Sequence, residues 1–287
     1  MLCSNMDLTL PENIKKILRD YGVKPSRERG QNFLVSREIL DKMVAAANLK
    51  KDEEILEIGP GFGVLTAELA KRAKRIVAVE ADRKLAKILK KNVENFGNVE
   101  IVENDILKLQ VTGCKLQEYK YKIVANLPYQ ITSAVFRKFL NDGPQPAEIT
   151  VMVQREVAER ICAPAGKGSL LSLSVQFFGQ PEIVEIVPRS VFWPEPEVDS
   201  AILKISRIKE TSGANLKKID SEKFFKIAKI GFSARRKQLH NNLSAGLMIP
   251  DGKVWEIMAA LGFDPKIRAQ NLSLEDWVGL TGRLLGK

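Results

Sequence analysis

Histidine is nearly missing from this chain of 287 residues: His240 stands alone beside 45 lysines and arginines. One imidazole rules out a multi-histidine metal centre, and its place in a basic helical stretch argues against a histidine-based catalytic triad. Its basic, helix-period surroundings assign His240 to the surface. Cysteine is almost as scarce. Cys3, Cys114 and Cys162 show no C-x-x-C spacing, so neither a disulfide framework nor a zinc site is expected and the compartment reads as reducing. No apolar run is long enough to span a bilayer. The opening residues, MLCSNMDLTLPENIKK, lack a secretory h-region and the Arg-rich, acid-poor character of a transit peptide. The expectation is a soluble, cytoplasmic protein that holds no metal.

The length predicts one sizeable core and a smaller second unit. Acids number 35, which leaves a net charge of +10. Such an excess suits an anionic partner such as nucleic acid. Residues 209–287 alone hold 14 basic and 8 acidic side chains. A solvated lysine-rich surface explains any single run, but fits less well a tail carrying most of the excess.

Between residues 54 and 154, the runs EILEIG, RIVAVE, VEIVEND, KIVANL and EITVMVQ alternate with helical segments or loops of crossover length. That alternation predicts a parallel sheet covered on both faces. Two helices are expected before it. One covers residues 11–22; the other follows a Ser36 cap and carries the stripe Ile39, Leu40, Met43, Val44 and Ala47. EIVEIVP and VDSAILKISR are expected to close the sheet as a hairpin-like pair. Residues 208–218, IKETSGANLKK, have linker composition, and only helical periodicity follows. Domains are therefore expected at 1–208 and 219–287.

The first of these strands runs into EIGPGFG, with Gly59, Gly61 and Gly63 before a helix. Glycines there let the backbone approach a ligand. Their G-x-G-x-G spacing, with Val64 where a dinucleotide site wants glycine, disfavours nicotinamide or flavin. Glu80 ends the next strand and can accept from ribose hydroxyls. Asp105 ends the one after and can accept from an adenine amine, with Ile106 beside the base. Either acid alone also suits a helix cap. Together they point to an adenosyl ligand without a phosphate clamp.

The fourth strand ends in Asn126, Leu127, Pro128 and Tyr129. An exocyclic base amine is a poor nucleophile because its lone pair is delocalised, and acceptors on both N–H groups favour the reactive pyramidal state. The Asn126 side-chain oxygen and the Leu127 carbonyl can serve so. Pro128 stiffens the turn, and Tyr129 offers a face on which an extruded base stacks. Phe192 or Trp193 can close the other face, or can simply pack beneath a proline-rich loop.

With GQNFL at 30–34, EIGPGFGVLT at 57–66, NLPY at 126–129, QREVAER at 154–160, FWPEPEVDSAI at 192–202 and GFSARRKQLHNNL at 231–243, the chain resembles the bacterial small-subunit ribosomal RNA adenine N6,N6-dimethyltransferases. The resemblance covers nearly the whole chain. It implies an α/β fold: a seven-stranded, mostly parallel, Rossmann-like class I methyltransferase sheet with a small all-α C-terminal domain. It also implies S-adenosyl-L-methionine as cofactor, and as substrate two adjacent adenosines in a hairpin loop near the 3′ end of small-subunit RNA, free or in a pre-assembled subunit. A monomer away from any membrane is expected. By matching position, Gln31, Asn32 and Leu34 belong to a cofactor lid, Gly59 and Gly61 to the methionine pocket, Glu80 to the ribose, Asp105 and Ile106 to the adenine, and Asn126 to the reacting amine. Tyr129 and Phe192 take the stacking roles. Arg235, Arg236 and Lys237 become RNA contacts on a helix, at least one of them paired internally. Gln130 departs from the asparagine common there. The rivals are a large-subunit adenine methyltransferase of the antibiotic-resistance type and a non-catalytic assembly or transcription factor.

Overall fold

The computed structural model describes residues 7–26 and 30–285; Cys3 lies outside them. The chain divides into two compact units, residues up to 158 with 182–206, and 159–181 with 207 onward.

The first unit holds α1 (Pro11–Asp20), β1 (Phe33–Leu34), α2 (Arg37–Ala47), β2 (Glu54–Ile58), α3 (Val64–Ala70), β3 (Arg75–Glu80), α4 (Arg83–Asn92), β4 (Val99–Glu103), β5 (Tyr121–Asn126), α5 (Thr132–Arg137) and β6 (Glu148–Gln154). After α6 (Arg155–Ile161) and α7 (Leu170–Gln176) come β7 (Gln180–Val187), β8 (Phe192–Trp193) and β9 (Ser200–Ser206). Seven strands form one sheet in the order β4-β3-β2-β5-β6-β9-β7. Strands β2 to β6 run parallel and β9 antiparallel to β6. The closing pair is thus adjacent, as expected. Ile55, Leu56, Ile76, Val77 and Ala78 are completely buried because helices cover both faces, and each large aliphatic side chain so buried contributes about 1.5–3 kcal/mol.

The whole expected stripe of α2 is buried, and the Ser36 side chain accepts from Ile39 N. Helix α1 buries Ile14, Ile17 and Leu18 against Phe62 and against Leu85 and Ile88 of α4. Strand β3 lies on one side of β2 and β5 on the other, so chain direction across the sheet switches at β2. The crevice at the carboxyl ends there is where open α/β sheets bind ligands.

The second unit adds α8 (Ile208–Lys218), α9 (Ser221–Gly231), α10 (Leu239–Leu247), α11 (Asp251–Ala260) and α12 (Leu274–Leu284). Two boundary expectations are corrected here. Residues 208–218 are helix rather than linker, because Ile208, Ser212 and Ile219 fall at helical spacing and are buried. Residues 159–181 group with the tail. The Phe177 and Phe224 rings pack at a tilt with centroids 4.5 Å apart, the Phe177 carbonyl accepts from Asn215, and Gly166 and Gly168 N–H groups donate to Gln270 O.

His240 is also corrected: it is buried, not on the surface. Its Nδ1 lies 2.8 Å from Asp251, its Nε2 2.8 Å from Gln238, and its ring packs on Trp255. Polar partners for both nitrogens let an otherwise apolar site accept the ring. Among the described residues no helix is long and apolar enough to cross a membrane.

Candidate active site

A cavity of about 470 Å³ opens at the carboxyl edge of β2 to β5, within the usual range of small-ligand sites. Its walls include Gln31, Asn32, Leu34, Gly59, Gly61, Glu80, Asp105, Ile106, Asn126, Leu127, Pro128 and Tyr129. Of the residues expected to touch a ligand in the first unit, Gly63, Phe192 and Trp193 are not among these walls.

Gly59, Gly61 and Gly63 all take positive φ, 67°, 58° and 86°. At Gly63 a side chain would also meet Leu89, so that position is glycine for two reasons. The bend lets Gly61 N–H donate to Glu80 Oε2 at 3.0 Å, while Asp82 N–H donates to Oε1 at 2.9 Å. Burial raises the Glu80 pKa, and those N–H groups offset it only in part. Each carboxylate oxygen retains a lone pair for a ligand hydroxyl. Asp105 accepts from Leu107 N–H through Oδ1, as a turn cap would, and Ile106 is buried beside it. Pro128 packs against Gly59, which joins the glycine loop to the end of β5.

Leu127 N–H is tied to Met152 O at 3.1 Å. Asn126 Nδ2 donates to the main-chain oxygen of Asn32 at 3.1 Å. That bond orients the amide and leaves Oδ1, without a partner among the described residues, as its acceptor. The Gln31 side-chain oxygen accepts from Ser26 N–H. Gln130 packs on Gly30, whose φ of 60° and missing Cβ make room for it. Tyr129 OH is 2.8 Å from Ser200 Oγ, and burial raises the phenol pKa. Ser200 itself is completely buried. The hydroxyl is thereby anchored while the ring borders the cavity.

Phe192 is one exception. It is 3% exposed, belongs to the main core, and pairs through β8 with Leu34 of β1. The β1–β8 ladder sets it beside Leu34, which lines the cavity while Phe192 does not.

Glu57 was passed over as a ligand residue. It lines the cavity at 1% exposure, and Oε2 has no hydrogen-bond partner among the described residues. Burial, against the neighbouring Thr66 hydroxyl and with Glu80 adding to it, pushes its pKa up to about 8. The available signal was a carboxylate between Leu56 and Ile58 in a strand buried on both faces. With Glu80, Asp82 and Asp105 it makes four acids in a cavity wall that includes no lysine, arginine or histidine among the described residues. Such a wall repels phosphate and favours a cation.

In the second unit, Arg235, Arg236 and Lys237 lie in the turn between α9 and α10, not on a helix. All three are exposed, and none pairs with a carboxylate among the described residues, contrary to the expected internal pairing. The turn arises because Asn242 donates to Gly231 O and Ala234 O across it.

The family model for ribosomal RNA adenine dimethylase matches residues 23–284. The chain belongs to this family. It is accordingly an enzyme, a ribosomal RNA adenine dimethyltransferase. It is 43% identical over 269 residues to ribosomal RNA small subunit methyltransferase A of Dehalococcoides mccartyi, covering 94% of this chain and 91% of that one. The protein of the same name from Bacillus pumilus is 38% identical, with 98% of each covered. Among solved structures, a Plasmodium falciparum dimethyladenosine transferase superposes with a TM-score of 0.75 at 29% identity, covering 86% of this chain and 95% of that one. The 23S ribosomal RNA methyltransferase ErmE gives 0.70 at 30% identity, with 88% and 99% covered.

Proposed function

We propose that the chain uses S-adenosyl-L-methionine to dimethylate N6 of two adjacent adenosines in a hairpin loop near the 3′ end of small-subunit ribosomal RNA, as a step of ribosome biogenesis. The observation that carries the cofactor is the acid-lined, cation-free cavity of a protein with net charge +10. The orphaned Glu57 oxygen suits the ligand's ammonium, Glu80 its ribose hydroxyls, and Asp105 with Ile106 its adenine; Asn32 and Leu34 cover it. When bound, the cofactor supplies an electrophilic sulfonium methyl.

This chain's residues then bind, orient and exclude water. Asn126 Oδ1 and the Leu127 carbonyl accept from the target amine and turn its lone pair toward the cavity, with Pro128 stiffening the turn. The Tyr129 ring stacks on the everted base, a contact of about 1–3 kcal/mol. Orientation rather than proton abstraction lowers the barrier. Residues Arg235, Arg236 and Lys237 contact RNA phosphates. The stacking role expected of Phe192 passes to support: it holds Leu34 at the cavity wall.

The working form is a cytoplasmic monomer that recognises the small-subunit RNA, free or in a pre-assembled subunit. Relatives of the small-subunit name at 36–43% identity support that substrate, while the ErmE likeness keeps a large-subunit target in view. Incubation of each subunit with labelled cofactor, followed by nucleoside mass spectrometry, tests the choice. Dimethyladenosine at two neighbouring small-subunit positions is expected. Label mainly in large-subunit RNA overturns it.

A further inference from the structure

We infer that the outward faces of α1 and α4 form a phosphate-binding surface for the ribosomal RNA strand flanking the target adenosines. The inference rests on the proposed function for its ligand and on the charge distribution for its location. Residues 11–24 and 82–94 hold nine lysines and arginines against four acids. This excess lies in the catalytic unit, separate from the basic tail.

The two helices share one apolar core, so their polar faces are neighbours. Lys84 Nζ donates to Gly22 O at 3.2 Å, and Lys91 Nζ lies 5.2 Å from the Tyr21 ring, which seats the end of α1 along the flank of α4. Opposite the buried Leu85, Ile88 and Leu89, the exposed Arg83, Lys87 and Lys90 recur at i, i+4 and i+7, one stripe about 10 Å long. Lys15, Lys16 and Arg19 are exposed on α1.

None of these six pairs with a carboxylate among the described residues. Elsewhere in the same unit several cations are neutralised by acids. Arg37, Lys71 and Arg72 converge on Glu68, Lys42 pairs with Glu38 and Glu185, and Arg75 pairs with Glu54 and Glu100. A surface serving solubility intersperses both signs in balance; one with more than twice as many cations as acids, six of them without a carboxylate partner among the described residues, is open to an external polyanion. Its position fits the task. Asp82 and Leu85, at the start of α4, line the cavity, so a strand that delivers a base there can continue over the stripe.

The test combines Arg83→Gln, Lys87→Gln and Lys90→Gln, all exposed and away from the cavity wall. A Lys50→Gln/Lys51→Gln control changes exposed cations at the opposite edge of the sheet. Small-subunit RNA binding is followed by fluorescence anisotropy from low to high salt, and methyl transfer in parallel. The triple variant is expected to weaken binding about tenfold near physiological salt and to make the salt slope shallower by about 2–3. KM for RNA rises to match, while kcat at saturating RNA, cofactor affinity and melting temperature stay put. The control should resemble wild type. Unchanged affinity and slope in the triple variant overturn the inference, even if wild type is active. A wild type that binds RNA through this stripe yet methylates none refutes the proposed function instead.

Discussion

The side-chain amide of Asn126 donates to the main-chain oxygen of Asn32 at 3.1 Å, joining the end of β5 to a segment 94 residues earlier in the chain. A carboxamide can turn about its terminal bond and exchange donor for acceptor. This bond selects one orientation, with Oδ1 as the atom left to accept from an amine.

Asn126→Ala should therefore lower kcat by about 10²–10³-fold, as loss of one preorganised hydrogen-bond partner does elsewhere. Cofactor affinity should change far less, because Glu57, Glu80 and Asp105 remain. Asn126→Asp should be equally poor, since its carboxylate faces the Asn32 carbonyl without a proton to share. Single-turnover methylation and cofactor titration check both variants. Near-normal turnover of Asn126→Ala would remove the amide from the reaction.

Glu57 predicts a pH dependence. Its ordinary pKa is 4.5 and its folded value about 8. Below 4.5 it is protonated in both folded and unfolded chains. As pH rises from there toward 8 the unfolded chain gives up the proton and the folded chain keeps it, so the ligand-free protein loses stability across that window. A ligand ammonium reverses the preference and favours the carboxylate. Cofactor binding at pH 7 should release close to one proton, falling toward none above pH 9. Calorimetry in buffers of different ionisation enthalpy measures the release. Glu57→Gln should release none from this site and should flatten the stability profile over the same window.

How far the sequence discloses this site depends on the range of the interactions involved. Glu80 and Asn126 end parallel strands and Asp105 follows one by two residues, and parallel topology brings strand ends together whatever the loops do. They were legible for that reason. The Ser36 cap and the α2 stripe were legible because they are local. The burial of Phe192 was not legible because its partner, Leu34, is 158 positions away, and a two-residue ladder leaves no periodicity. His240 misled because the residue that makes its burial tolerable, Asp251, sits on another helix. Arg235, Arg236 and Lys237 carry helix-compatible residues; the bonds from Asn242 that impose a turn come from the following helix. Glu57 was in plain view, but its missing partner becomes visible only once the cavity has walls.

Tyr129 and Ser200 supply a separable pair. The hydroxyl contact holds the ring, and the proposed function gives the stacking to the ring, so their losses should differ in size. Tyr129→Phe and Ser200→Ala should each lower kcat/KM only modestly, and the double variant should be no worse than either single one. Tyr129→Ala should cost about 5- to 150-fold, the equivalent of one base stack. RNA carrying a fluorescent purine at the target position reports the stack directly. Equal losses for Phe and Ala at position 129 would point to the hydroxyl instead.

Glu68 ties the lid side of the sheet together away from the cavity. It is buried, and burial alone would raise its pKa, but Lys71, Arg72 and Arg37 outweigh that and bring it down to about 2. Its oxygens lie 2.7 Å from Lys71 Nζ, 2.8 Å from Arg72 and 3.1 Å from Arg37 at the start of α2. The three cations are half exposed, so each pair alone is weak. The shared, buried carboxylate is what stands to lose. Glu68→Ala leaves Lys71 and Arg72 without their anion and Arg37 with Asp41 alone, and should cost about 1–3 kcal/mol in chemical denaturation at pH 7. For the wild type this contribution is intact above the ordinary carboxylate pKa and fades as pH falls from about 4.5 toward 2, since the unfolded chain takes up the proton first. The difference between wild type and Glu68→Ala should therefore narrow across that acid range. A gap that stays constant down to pH 2 would assign the loss to packing rather than to charge.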